Sequence, residues 1–257
     1  MSGQSFTVRK HRRAPNRWPG AYNREVDLIV AARDLDRARE GSGAQRLMHL
    51  PRGGPGGGPA SGMSLLSADD GTSVPLDVGR WHGEVDEVES QLLASLIDPV
   101  LDIGCGPGRI GAALSAAGRT VLGIDPAPAA IAWALARGAP ALCRSVFDPL
   151  PDEGRWVSAL LLDGNIGIGG DPSVLLARIC DLLAPGGEVV AEVTAPGGRT
   201  GTMRVCLRGD ASGPVRPWFP WARVSVDAFP ALAGGAGLVP GGSWHQGERW
   251  FARATRP

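Results

Sequence analysis

A chain of 257 residues, 43 % of them apolar, holds enough material for one α/β domain of ordinary size plus an appendage, and too much for a wholly disordered polymer. Its 26 basic and 26 acidic residues cancel, so the molecule as a whole has no electrostatic attraction to nucleic acid or to an anionic membrane. The cancellation is uneven, because residues 1–60 carry eleven Arg or Lys against five Asp or Glu, a basic arm on an acidic remainder.

In chain order, residues 9–24 are basic and turn-rich, and 25–40 offer a partial apolar face for a short helix through Val26, Ile29, Val30 and Leu35. Residues 51–62 are nearly all Gly, Pro, Ala and Ser, a composition that buries no core and reads as a linker. Residues 1–62 are therefore expected to form a flexible arm, the one segment suited to nucleic acid or another acidic partner. Residues 63–257 are expected to form the folded domain.

There, Val85, Val88, Leu92, Leu93 and Leu96 predict a helix over 84–97. Short apolar strands are expected at 100–103, 119–124, 141–147, 156–162 and 187–193. Helices fit 109–117, 127–137 and 172–183, the last with Asp171 as N-cap and Pro172 as its first residue. Strands alternating with helices predict a parallel sheet covered on both faces. After residue 198 the pattern changes to edge-like strands at 202–208 and 222–226, a helix at 227–237 and an alternating strand at 248–254.

The cysteines, Cys105, Cys143, Cys180 and Cys206, form no C-x-x-C pair and match no zinc spacing. Reduced thiols and no metal are expected. No apolar run has the length of a membrane-spanning helix, and the N-terminus lacks the apolar core of a secretory signal. A cytoplasmic location without a membrane partner is the expectation.

The informative segment is Leu101-Asp102-Ile103-Gly104-Cys105-Gly106-Pro107-Gly108. A strand runs into three alternate glycines and then a helix, which lets the backbone turn sharply and a ligand approach closely at the carboxyl end of the sheet. Residues 106–111 also match the dinucleotide fingerprint G-x-G-x-x-G, with Asp125 about 20 residues beyond the loop. Asp102 argues against that ligand. A carboxylate inside a strand costs several kcal/mol unless paired, and a cation would offset that cost where a pyrophosphate would not.

LDIGCGPG at 101–108, GID at 123–125 and LAPGG at 183–187 together resemble the class I S-adenosylmethionine-dependent methyltransferases, from about residue 84 to 194 and more loosely to the end. The resemblance implies a Rossmann-like, mostly parallel, doubly wound sheet with an antiparallel last strand, supplied by 248–254. It divides the domain into a cofactor half (84–194) and an acceptor-facing half (195–257). It implies that Asp102, Gly104 and Gly106, with Cys105 and Gly108 of the same loop, hold the methionyl end of S-adenosylmethionine. Asp125, followed by Pro126, would hold the ribose. Asp148 would meet the adenine amino group with Phe147 or Val146 beside the ring, and Asp163-Gly164-Asn165 would lie near the methyl group. Blander readings stand beside these: Asp125 as a helix cap, Asp148 as turn chemistry, 163–171 as a plain connection.

Methyl transfer to a phenol, alcohol or acid also calls for a proton acceptor, and His82, His245 and Glu192 are the candidates. Trp218, Trp221, Trp244 and Trp250 either shape an apolar or aromatic acceptor pocket or fill a core. The acidic domain, with no basic stripe, favours a small-molecule acceptor methylated at oxygen or nitrogen rather than carbon. Two alternatives remain: a nicotinamide-dependent oxidoreductase using the same loop, and a catalytically silent cofactor-binding subunit.

Overall fold

The computed structural model describes residues 65–75, 77–208 and 218–257. The basic arm, the helix expected over 25–40 and the linker lie outside the described residues. In chain order the elements are β1 (Leu65–Ala68), β2 (Ser73–Pro75), α1 (Val78–His82), α2 (Glu87–Ser95), β3 (Val100–Ile103), α3 (Arg109–Ala116), β4 (Val121–Asp125), α4 (Pro128–Ala136) and β5 (Ala141–Cys143). They continue with β6 (Trp156–Leu161), a 3-10 turn (Asn165–Gly170), α5 (Pro172–Leu182), β7 (Leu183–Val193), β8 (Gly201–Arg208), β9 (Phe219–Arg223), α6 (Phe229–Gly235), β10 (Val239–Gln246) and β11 (Arg249–Thr255).

Seven strands form the main sheet in the order β10-β11-β7-β6-β3-β4-β5. β3 is paired in parallel with β4 on one side and β6 on the other, so the glycine loop leaves the sheet where the strand order reverses, the usual place for a ligand in open α/β sheets. β11 runs antiparallel between β7 and β10. The antiparallel last strand is as expected, but β10 was not. Its sequence, VPGGSWHQ, reads as a turn. At a sheet edge the proline and glycines are tolerated, and a register shift between Pro240 and Ser243 absorbs them.

All four residues of β3 are buried, which is why it is apolar apart from Asp102. On one face of the sheet Leu175, Leu176, Ile179 and Phe229 bring α5 and α6 against it. On the other, Leu92, Leu93, Ile110 and Leu114 bring α2 and α3. Each such side chain contributes about 1.5–3 kcal/mol by leaving water. α2 starts at Glu87, three residues later than the periodicity predicts, because Asp86 and Glu89 form a reciprocal capping box. α5 starts as expected, Asp171 accepting from the N–H groups of Ser173 and Val174.

Gly108 shows how closely the α-layer packs. At φ 80° it precedes α3, and a Cβ there would stand 2.6 Å from Cβ of Ala134 on α4. Gly108 is thus a packing residue between helices, not the point of ligand approach expected of it. Gly108→Ala adds left-handed strain of about 1–2 kcal/mol to an overpacking cost of about 1–3 kcal/mol. Its melting temperature should fall by roughly 5–15 °C in a thermal unfolding scan.

The second sheet, β2-β1-β8-β9, is antiparallel throughout. Residues 202–208 do not extend the main sheet as edge strands. They pair with β1, for which the sequence gives no strand signal. This sheet lies on the 165–170 turn: Thr202 Oγ1 donates to Gly170 O at 2.7 Å, and a Cβ on Gly167 would strike the backbone of Ala222 and the Trp221 ring. The tryptophans do not converge on one pocket. Trp244 stacks on Phe251 at 5.4 Å over the α2–α3 face, Trp250 packs against the opposite face, and Trp221 belongs to the second sheet.

Candidate functional site

The loop from Gly104 to Gly108 is tied down by its own N–H groups. Those of Gly104 and Cys105 donate to Ile124 O at 2.8 and 3.0 Å, and that of Gly108 to Cys105 O at 3.0 Å. That of Gly106 donates to Asp125 Oδ2 at 3.1 Å. Donors spent this way are not gathered for a pyrophosphate, which needs them aimed at the ligand. Gly106, at φ 52°, faces open space, whereas a Cβ on Gly104 would meet the Asn165 amide at 2.6 Å. That amide donates to the carbonyls of Ile103 and Gly104 at 2.9 and 3.0 Å, fastening the turn after β6 to the glycine loop. The Cys105 side chain points the other way, into contact distance of Gly123, and burial pushes its thiol pKa up. Cys105 is therefore a packing group rather than a ligand contact.

Asp102 is 3 % exposed, and its Oδ2 finds no hydrogen-bond donor among the described residues. Burial pushes its pKa up to about 7; the carboxylates of Asp163, Asp125 and Glu89 add to the rise and Arg109 opposes it. A buried acceptor left without a partner costs about 1–3 kcal/mol, more when charged. A cationic donor placed here would remove that cost.

Asp125 ends β4 buried, accepting from Gly106 N through Oδ2 and from Ala127 N at 2.9 Å through Oδ1. It braces the glycine loop and the turn that leads into α4, whose N-cap residue is Ala127. Beside it opens a narrow, mostly apolar cleft lined by Gly104, Asp125, Pro126, Ser145, Val146 and Ile168 among others. Phe147 and Asp148 do not line it. The Phe147 ring packs on Gly169. Asp148 Oδ2 accepts from Ser145 N at 2.9 Å, and Arg178 donates to the carbonyls of Val146 and Asp148 at 3.0 and 2.8 Å. The turn reading of Asp148 is the one its geometry supports, and Val146 is the neighbour that faces the cleft.

Past the loop lies a cluster of charges. Asp163 takes a left-handed conformation, φ 54°, rare outside glycine; Gly164 follows it at φ 82° with open space beside it. Arg109 donates to Asp163 Oδ2 at 2.7 Å and also pairs with Glu89. Glu89, fully buried, takes Arg80 at 2.7 Å and Arg249 at 3.1 Å as well. Burial pushes its pKa up, but Arg109 and Arg80, with the Asp86 N–H, outweigh that and bring it down to about 2. Burial pushes the pKa of Asp163 up, Glu192 adding to the rise. Neither Glu89 nor the three arginines stood out in the sequence. Glu89 reads as an ordinary capping-box glutamate, and the arginines come from three distant segments.

The proton-acceptor candidates fare differently. Glu192 accepts from Arg249 Nε and Nη2 at 2.8 and 2.7 Å and from Asp163 N at 2.8 Å. Burial raises its pKa, but Arg249 outweighs that and leaves it lowered. A carboxylate so held is a poor base, contrary to the expectation for Glu192. His245 is exposed on the edge strand β10 beside Trp250, four strands from β3. At about 4.8 Å per strand that is roughly 19 Å away, so His245 does not reach the glycine loop as a base there would have to. His82 ends α1, its ring edge-on to Trp133 at 5.4 Å.

Among the described residues no group of three or more His, Cys, Asp or Glu is placed to hold a metal ion, and no helix is long and apolar enough to cross a membrane.

Residues 100–187 match a family model described as a methyltransferase domain. Among solved structures, a methyltransferase from Bacteroides fragilis, crystallised with S-adenosyl-L-homocysteine, superposes with a TM-score of 0.60 at 19 % identity over 76 % of this chain and 87 % of that one. A methyltransferase from Methanosarcina mazei gives 0.54 at 15 % identity over 68 % and 99 %. The CcbJ methyltransferase of Streptomyces caelestis gives 0.50 at 16 % over 66 % and 94 %. No curated protein sequence matches the chain. Residues 100–187 thus resemble a methyltransferase domain in sequence, and the fold is shared with solved S-adenosylmethionine-dependent methyltransferases.

Proposed function

We propose that this protein transfers the methyl group of S-adenosylmethionine to the oxygen or nitrogen of a small-molecule acceptor. The observation that carries the reading is the buried, unpartnered Oδ2 of Asp102, a site for the ammonium of the cofactor's methionyl end. Gly104 and Gly106 let that end approach the backbone, Asp125 at the end of β4 lines the cleft where the ribose would lie, and Pro126, Val146 and Ile168 flank the base there. The donor supplies an electrophilic methyl on sulfur. The protein's part is to align the acceptor in line with it and keep water out. Asp163, Gly164 and Asn165, with the second sheet on the turn behind them, wall the acceptor side. His82 is the remaining candidate for an acceptor's proton, since α1 also reaches the charged cluster through Arg80. The acidic balance of the chain beyond residue 60 favours a small acceptor over nucleic acid, leaving the basic arm as the segment suited to an acidic partner.

Calorimetric titration of the full chain with S-adenosylmethionine, S-adenosylhomocysteine and NADH tests this. Micromolar binding of both adenosyl ligands with NADH silent is expected. Binding of NADH alone would overturn the reading.

A further inference from the structure

α1 is only five residues long and has little packing of its own, yet it is fastened at both flanks. On one side Arg80 donates to Glu89 at 2.7 Å and to Asp86 at 3.2 Å, with Asp163 Oδ1 at 3.9 Å. Glu89 in turn pairs with Arg109, the residue directly after the glycine loop. On the other side Arg137, which ends α4, donates to the last carbonyls of α1 and its cap: Gly83 O at 2.8 Å, His82 O at 3.1 Å and Trp81 O at 3.4 Å. Helix ends leave such carbonyls without intrahelical partners, and a guanidinium fork suits several at once. The His82 ring against Trp133 adds a second contact between α1 and α4. α1 therefore bridges from α4 to Glu89 and Asp163, whose charges, with that of Arg109, act on the Asp102 carboxyl.

We propose that Arg137 is a positioning residue for the cofactor: by gripping the C-terminal carbonyls of α1 it keeps that helix seated over the methionyl end, and so sets how fast the cofactor leaves. The proposal rests on the methyltransferase reading. Arg137 is half-buried, and its guanidinium donates to the backbone carbonyls of Trp81, His82 and Gly83. Replacing it removes the grip while leaving Asp102, Glu89 and Arg109 in place.

The test compares wild-type protein with Arg137→Ala and Arg137→Lys. Dissociation of S-adenosylhomocysteine is followed by stopped flow, and amide exchange over residues 78–86 is read without ligand. Arg137→Ala should exchange faster in that segment alone and release the ligand about tenfold faster, the size that losing one charge-assisted hydrogen bond implies, with the association rate little changed. Arg137→Lys should restore part of both. Faster exchange without faster release, or no change in exchange, overturns the proposal while wild-type binding keeps the cofactor reading intact. If the wild-type protein binds neither adenosyl ligand, the cofactor reading falls and the proposal with it. Should Arg137→Ala lose protection across the whole sheet, Arg137→Lys carries the test, and unchanged release from a folded Arg137→Lys counts against the proposal.

Discussion

Asp102→Asn should bind S-adenosylmethionine on the order of a hundredfold more weakly than the wild-type protein, the loss of one buried charge-assisted contact worth about 3 kcal/mol, while the free protein becomes more stable above pH 7. Both effects come from one carboxyl whose pKa stands at about 7 rather than 3.8. Because that pKa is raised on folding, the native state holds a proton between about pH 4 and pH 7 that the unfolded chain has lost. Stability therefore falls as pH rises through this window and stays lower above it. Three units correspond to about 4 kcal/mol. Asparagine carries no charge but is itself a buried amide short of partners, costing about 1–3 kcal/mol, so a net gain on the order of 1–3 kcal/mol is expected at pH 8. The groups facing the carboxyl are Arg109, Asp163, Asp125 and Glu89, and the substitution leaves them all in place. A cationic ligand selects the ionised form, so wild-type affinity should rise about tenfold from pH 6 to pH 8 and then level off. The variant should show no such slope. Calorimetric titrations at four pH values and urea unfolding at pH 5 and 8 read the two halves separately. An unchanged affinity in the variant would remove Asp102 from the site.

Glu89→Gln should be the most destabilising polar substitution in the domain, by about 3–5 kcal/mol at pH 7. The carboxylate is 0 % exposed and lies among Arg80, Arg109 and Arg249. Removing its charge leaves buried guanidinium groups uncompensated, and breaking a buried pair from one side typically costs that much. The pKa agrees: a fall from 4.5 to about 2 is worth about 3 kcal/mol. Because that pKa is lowered on folding, the contribution is complete above about pH 4.5 and is lost as pH falls toward 2. Urea unfolding should show a gap between wild type and Glu89→Gln at pH 7 that narrows below pH 4. Glutamine keeps the capping box with the Asp86 N–H, so the loss is assignable to charge rather than to the start of α2. A gap that does not change with pH would mean that packing, not ionisation, sets the cost. Weaker S-adenosylhomocysteine binding should accompany the instability, since Arg109, which holds Asp163, loses its own anchor.

The sequence by itself determined the alternation of strands and helices from residue 100 to 193, the glycine turn after β3, the N-cap at Asp171 and the anomaly of Asp102. Each is a local matter. Strand burial, positive φ and capping depend on residues within a few positions, so pattern and spacing reveal them. Tertiary structure alone decided which charges meet. Glu89 and Arg249 lie 160 positions apart, Arg109 and Asp163 are 54 apart, and no periodicity links them. The same is true of β1, which besides its local partner β2 pairs with β8, well over a hundred residues later. It is true of the tryptophans too, whose closeness in sequence says nothing of the sheet face each takes, because neighbouring strand residues point to opposite sides. His245 and Glu192 were plausible by residue type alone. A base is defined by its reach and by its partners, and both are set by contacts between distant segments.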